Sequence, residues 1–96
     1  MKPSVALNEK REAIREAFTR YRVQNPRVFG SVARGQDTEA SDLDLLVDPL
    51  PGLSLFDLGG LQIELERLLG CEVDVVLADG LHRRIRTRVL SEAQPL

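Results

Sequence analysis

Two aspartates one residue apart, Asp42 and Asp44, preceded by the pair Gly30-Ser31, are the residues of this chain best suited to chemistry. The segment Ser41-Asp42-Leu43-Asp44-Leu45-Leu46-Val47 alternates in the manner of a β-strand. Side chains two apart on a strand point to the same side, so Asp42 and Asp44 project together while Leu43, Leu45 and Val47 cover the other face. Carboxylates held side by side repel each other, a cost that a divalent cation removes, and hard oxygen donors of this kind suit Mg²⁺. A third acid follows in Glu72-Val73-Asp74-Val75-Val76-Leu77, another alternating run. If the two strands are neighbours and pack their Leu/Val faces on helices, Asp74 falls on the open face with Asp42 and Asp44. Three convergent carboxylates could hold two metal ions about 4 Å apart, the arrangement that clamps attacking and leaving oxygens in phosphoryl chemistry.

The glycine segment Gly30-Ser31-Val32-Ala33-Arg34-Gly35 has Walker A spacing between its glycines. Gln36 and Asp37 stand where that loop requires Lys and Ser/Thr, so the P-loop reading fails, and there is no G-x-G-x-x-G fingerprint. What remains is a strand, Arg27-Val28-Phe29, turning at Gly30 with Ser31 opening a short helical turn. Backbone N–H groups at such a turn and the Ser31 hydroxyl can hold a triphosphate, and Arg34 can add a charged fork to a phosphate oxygen.

In this combination the chain resembles the nucleotidyltransferase superfamily that includes DNA polymerase β. The superfamily signature is a Gly-Ser after the first strand, Asp-x-Asp on the second, and a later acidic residue; Gly30-Ser31, Asp42-x-Asp44 and Asp74 follow that order. The form Gly-Ser-x-Ala-Arg-Gly followed by Ser-Asp-x-Asp-Leu-Leu-Val is similar to the minimal nucleotidyltransferases, small prokaryotic proteins often paired with HEPN-domain RNase toxins. The resemblance spans roughly residues 27 to 77. It implies the polymerase β-like α/β (α+β) fold: a small mixed sheet with helices packed on one face, in the order α-β-β-α-β-α. It also implies transfer of AMP from ATP onto a hydroxyl, in the toxin-paired members a tyrosine of the toxin.

Carried onto matched positions, the resemblance makes Asp42 and Asp44 catalytic ligands of two Mg²⁺ ions. Asp74 becomes a third ligand or the base that helps deprotonate the acceptor. Gly30 and Ser31 would hold the leaving pyrophosphate, and Arg34 and Ser41 complete the nucleotide-binding set. The implied partner is a HEPN-type RNase toxin, with this chain as its antitoxin. One alternative is a binding module that silences its partner by occlusion, the nucleotide site being vestigial. Another is transfer to a small-molecule hydroxyl, against which the lack of room for an acceptor-binding domain argues.

Ninety-six residues, read as a single domain over 1–96, suffice for one core but not for a catalytic domain plus a separate acceptor domain. A net charge of −2 and a pI near 5.4 do not argue for nucleic acid, and direct nucleic-acid binding is not expected. Cys71 is the lone cysteine, and no Cys/His spacing suggests zinc. No apolar run reaches signal-peptide or membrane length, so no membrane contact and a cytoplasmic location are expected.

The elements that must position these residues are legible from periodicity and punctuation. An amphipathic helix is predicted over about 8 to 22, capped by Asn8, with Ile14, Ala17, Phe18 and Tyr21 on its apolar stripe and Asn25-Pro26 ending it before the first strand. Ser54-Leu55-Phe56-Asp57 opens a helix to about Leu69, stopped by Gly70. Gly59-Gly60 inside it means either a close approach to another element or a later helix start. A last helix, from about Leu81 to Ala93, carries the basic group Arg83, Arg84, Arg86 and Arg88, read as a wet face or as a surface for an acidic or RNA-bound partner. Asp48 reads as a solvated strand end, Asp37 and Glu39 as loop charges near the expected nucleotide, Glu72 as a solvated charge or a support on Asp74's face, His82 as a surface residue, and Cys71 as core-facing beside Val73.

Overall fold

The computed structural model describes all 96 residues. A four-stranded mixed sheet lies at its centre, in the spatial order β3-β2-β1-β4. Pro3, at a first-turn position where its missing N–H costs nothing, starts helix α1 (Pro3–Glu9). At Lys10 the backbone leaves the helical region (φ −115°, ψ 21°) and α2 (Arg11–Phe18) follows. The single helix expected over about 8 to 22 is therefore two. Asn8 is not an N-cap but lies inside α1, its Oδ1 accepting from Arg11 at 2.9 Å. Periodicity could not show the break, because both helices bury residues in the same core: Ala6 and Leu7 from one, Ile14, Ala17 and Phe18 from the other.

Strand β1 (Val23–Phe29) is longer than Arg27-Val28-Phe29, because Asn25-Pro26 is a bulge within it rather than a break before it. Asn25 takes a φ of 53° there, and the pairing register shifts between Gln24 and Arg27. The bulge brings Asn25 and Arg27 onto Asp48, which accepts from Asn25 Nδ2 at 3.0 Å and from Arg27 Nη2 at 2.8 Å. Asp48 is thus a paired, half-buried anion instead of a solvated one. The Asn25 hydrogen bond, then Arg27, holds its carboxyl below the usual aspartate range.

Strand β2 (Leu43–Pro49) runs antiparallel to β1 and parallel to β3 (Val73–Leu77). A parallel pair needs a long crossover, supplied by α4 (Leu55–Leu69). Its ends match the sequence: Ser54 and Asp57 form a reciprocal capping box, and Gly70 closes the helix at φ 70°. The helix is regular through Gly59 and Gly60. At Gly60 the reason is a close approach, since a Cβ there would lie 2.8 Å from Tyr21 Cε1. After β3 come a 3-10 turn (Ala78–Gly80), α5 (Arg83–Glu92) and a two-residue strand β4 (Gln94–Pro95) paired with β1. His82 caps α5, its Nδ1 accepting from the Arg84 N–H.

Leu43, Leu45 and Val47 are fully buried and join Val28 and Val73 against α1, α2 and α4. Each such side chain contributes about 1.5–3 kcal/mol. A slip of β2 by one residue would forfeit that and drive Asp44 into the core, so the leucines fix where the aspartates point. No helix is long and apolar enough to cross a membrane.

Candidate active site

Where β1 ends, β2 and β3 begin. The pairing register sets Phe29 beside Asp44, and Asp44 beside Asp74 on the neighbouring parallel strand. In-register neighbours on adjacent strands lie about 5 Å apart and share a face. Asp42 sits just ahead of β2, with the ladder continuing past it: the Leu43 N–H donates to the Glu72 carbonyl at 2.9 Å. Directly after β1, α3 (Gly30–Ala33) turns the chain over the same edge. Gly30 has a φ of 73°, and a Cβ there would overlap Asp44 Oδ2 and lie 3.1 Å from Asp44 Cγ. Only glycine lets the main chain press against that carboxylate.

Two open cavities meet at Asp42. One, of about 440 Å³, is lined by Gly30, Ser31, Arg34, Ser41, Asp42 and Asp44, and from α5 by Arg88 and Glu92. The other, of about 400 Å³, holds Asp42 and Asp74 together with Glu66 of α4 and Glu72. The four residues expected to bind nucleotide therefore share one cavity with Asp42 and Asp44, while Asp74 opens into the second. Burial raises the Asp44 carboxyl above the usual aspartate range, and the charges of Asp74 and Asp42 raise it further. Arg34 opposes this shift, and Glu92 adds to it.

Several of these side chains are engaged. Arg34 Nη1 pairs with Glu92 at 2.8 Å, and its Nε donates to Gln36 at 3.1 Å. Ser41 Oγ accepts from the Thr38 N–H at 2.8 Å and so also shapes the loop leading into Asp42. Asp37, expected as a solvated loop charge, is only 8% exposed and accepts from the Ser4 N–H at 2.9 Å, tying that loop to the first turn of α1. This hydrogen bond holds its carboxyl below the usual range. Glu66 accepts from the Val73 N–H at 3.1 Å at the start of β3. Glu92, Arg88 and Glu66 were not legible as site residues. Each lies in a charged helical stretch, and no local pattern tells which charge faces a sheet edge distant in sequence.

The three-carboxylate cage inferred from strand periodicity is not closed: no group of three His, Cys, Asp or Glu side chains is placed to hold a metal ion. Asp42 precedes the strand and is exposed, and Asp74 is exposed on the side of the second cavity. The donor set nonetheless fits Mg²⁺, which binds through one or two carboxylates with substrate phosphates and water, not through a protein cage. The surplus negative charge that raises the Asp44 proton affinity is what such a cation relieves.

Residues 7–96 match the nucleotidyltransferase domain family. A provisionally named protein adenylyltransferase of Methanocaldococcus jannaschii is 40% identical over 87 residues, 91% of this chain and 94% of that protein. Protein adenylyltransferase MntA of Thermococcus cleftensis is 41% identical over 78 residues, 81% of this chain and 79% of that protein. Among solved structures, a provisionally assigned minimal nucleotidyltransferase superposes with a TM-score of 0.86 at 47% identity, covering 100% of this chain and 97% of that one. A toxin–antitoxin crystal structure with AMP-PNP shares the fold at a TM-score of 0.74 and 21% identity, over 88% of this chain and 69% of that one. The chain belongs to the nucleotidyltransferase domain family, and within it to the minimal nucleotidyltransferases.

Proposed function

We propose that this nucleotidyltransferase moves AMP from ATP to a protein hydroxyl, a tyrosine of a HEPN-type RNase toxin, and so acts as the toxin's antitoxin in the cytoplasm as a single domain. The observation that carries this reading is the junction at Asp44, where the Gly30 main chain, Asp42 and, in register, Asp74 come together. The relatives named as protein adenylyltransferases support the reaction. The AMP-PNP-containing toxin–antitoxin structure of the same fold supports an adenine nucleotide and a toxin partner.

The two cavities suggest how the work is divided. The one with Arg34, Ser31 and the Gly30 turn offers donors to a triphosphate. The one lined by Asp42, Asp74, Glu66 and Glu72 is acidic and repels phosphates. The acceptor hydroxyl would therefore approach from the Asp74 side, and Asp74 would take its proton. Asp42, common to both cavities, and Asp44, in the first, would hold Mg²⁺, which would supply charge neutralisation at the α-phosphate and the departing pyrophosphate. Ser31 and Arg34 would orient the β- and γ-phosphates for in-line displacement.

The test is intact-mass analysis of the co-expressed partner. Wild type should add AMP to it. Asp42→Asn with Asp44→Asn should leave it unmodified while the circular dichroism spectrum stays native. Labelling by the double mutant would refute the catalytic assignment. A second reading, neutralisation by occlusion, draws on Leu55 and Phe56, which stand 85% and 91% exposed at the start of α4 as apolar side chains suited to a covered face. It predicts a tightly bound, inactive partner of unchanged mass.

A further inference from the structure

Arg34 is held in an ion-pair cluster at the mouth of the first cavity whose other two members, Glu92 and Arg88, have no part in the scheme above. Glu92 is the last residue of α5, the end of a helix at which the backbone dipole disfavours an anion. Its side chain is nevertheless only 15% exposed, with Oε2 2.8 Å from Arg34 Nη1 and Oε1 4.0 Å from Arg88 Nε. One carboxylate thus sits between two guanidiniums from different elements, an arrangement in which a phosphate oxygen could replace it. Of the four arginines on α5, Arg88 alone lines this cavity. With Asp42 and Asp44 given to the cation, Glu92 is the one other carboxylate of the lining, and it occupies the guanidiniums that a polyanion would use.

We infer that α5 completes the polyphosphate site: Arg88 joins Arg34 on the β- and γ-phosphates, and Glu92 is the counter-anion that the nucleotide displaces. This rests on the reading that the cavity binds ATP and extends it to residues outside the Gly-Ser and Asp-x-Asp segments. The exchange is one anion for another on the same two guanidiniums, so no covalent step is involved. It also gives the site a preference for chains of phosphate over a monophosphate, because the single phosphate of AMP cannot span from a cation held by Asp42 and Asp44 to both arginines.

The experiment is calorimetric titration of the full chain with ATP and, separately, with AMP, each with Mg²⁺, and with inorganic triphosphate as competitor. Arg88→Ala should weaken ATP binding about tenfold, the scale of one charge-assisted hydrogen bond, and change AMP binding by less than about twofold. Arg88→Lys should recover part of that loss. Glu92→Gln should tighten ATP and triphosphate binding by about threefold or more, since it removes the competing charge, and leave AMP as it was. A purely structural role would move both nucleotides together. Equal changes for ATP and AMP, or weaker ATP binding in Glu92→Gln, would therefore overturn the inference while leaving the nucleotide site standing. If the wild-type chain binds no ATP, the nucleotide reading falls and this one with it.

Discussion

Replacing Gly30 by alanine separates two costs that meet at one position. With φ at 73°, any side chain at residue 30 incurs roughly 1–2 kcal/mol of left-handed backbone strain. The added Cβ would also overlap Asp44 Oδ2 and sit 3.1 Å from Asp44 Cγ. That contact falls on the free end of a side chain that can swing aside, so it adds little to the loss of stability. What it moves is the carboxylate proposed to hold the metal, and a displacement of about 1 Å at a reacting centre lowers the rate by about 100-fold. Gly35 provides the control, with φ at 70° and nothing within 4 Å of a Cβ. Both Gly30→Ala and Gly35→Ala should lower Tm by about 4–8 °C per kcal/mol of strain. Gly30→Ala alone should lose about two orders of magnitude in AMP transfer. Thermal unfolding followed by circular dichroism gives the first quantity. Transfer from labelled ATP to the partner, measured well below both transitions, gives the second. Equal activity in the two variants would refute the idea that glycine stands at 30 for the sake of Asp44.

Three further outcomes follow from the packing and the electrostatics. Burial, with Asp74 and Asp42, raises the folded-state proton affinity of Asp44, so the native state loses stability as pH rises through the ordinary aspartate range and past the raised value. Asp44→Asn should therefore unfold at higher urea than wild type at neutral pH, with the difference vanishing in acid below the ordinary range. Asp37 has the opposite sign, because the Ser4 N–H depresses its carboxyl and its contribution is present above the unfolded value and lost as pH falls through the folded one. Asp37→Ala should cost about 0.5–2 kcal/mol at neutral pH, by analogy with lost helix caps, and progressively less in acid urea titrations. In α4, Gly59→Ala should stabilise by about 0.5–1 kcal/mol because its Cβ meets open space, while Gly60→Ala should lose that gain against Tyr21 at 2.8 Å. Paired denaturation curves for the two variants check the contrast.

The extent of what could be read beforehand follows from the range of the forces involved. Alternation in 43–47 and 73–77, the capping box at Ser54 and Asp57, and the stop at Gly70 are local signals, and the strands and helix they imply are present. The joint between α1 and α2 escaped because two helices facing one core keep a single apolar period. The Asn25-Pro26 bulge escaped because a proline inside a strand reads as its end until the partner strand shows the shifted register.

For the site, the residue order alone nominated the candidate groups: Asp42 and Asp44 two apart at the start of a strand, the Gly30-Ser31 turn before them, and Asp74 on a second strand. Those are properties of a period of two and of a residue without a Cβ, and they hold before any long-range contact forms. Only the tertiary structure decided that Asp74 stands beside Asp44 in parallel register and that Asp42 separates two cavities of different charge. It alone brought Glu92 and Arg88 over the first of these and Glu66 into the second. Those placements depend on which face of a helix meets the sheet, a matter settled by burying Leu, Ile and Val side chains far apart in the chain, about which a run of charges carries no information.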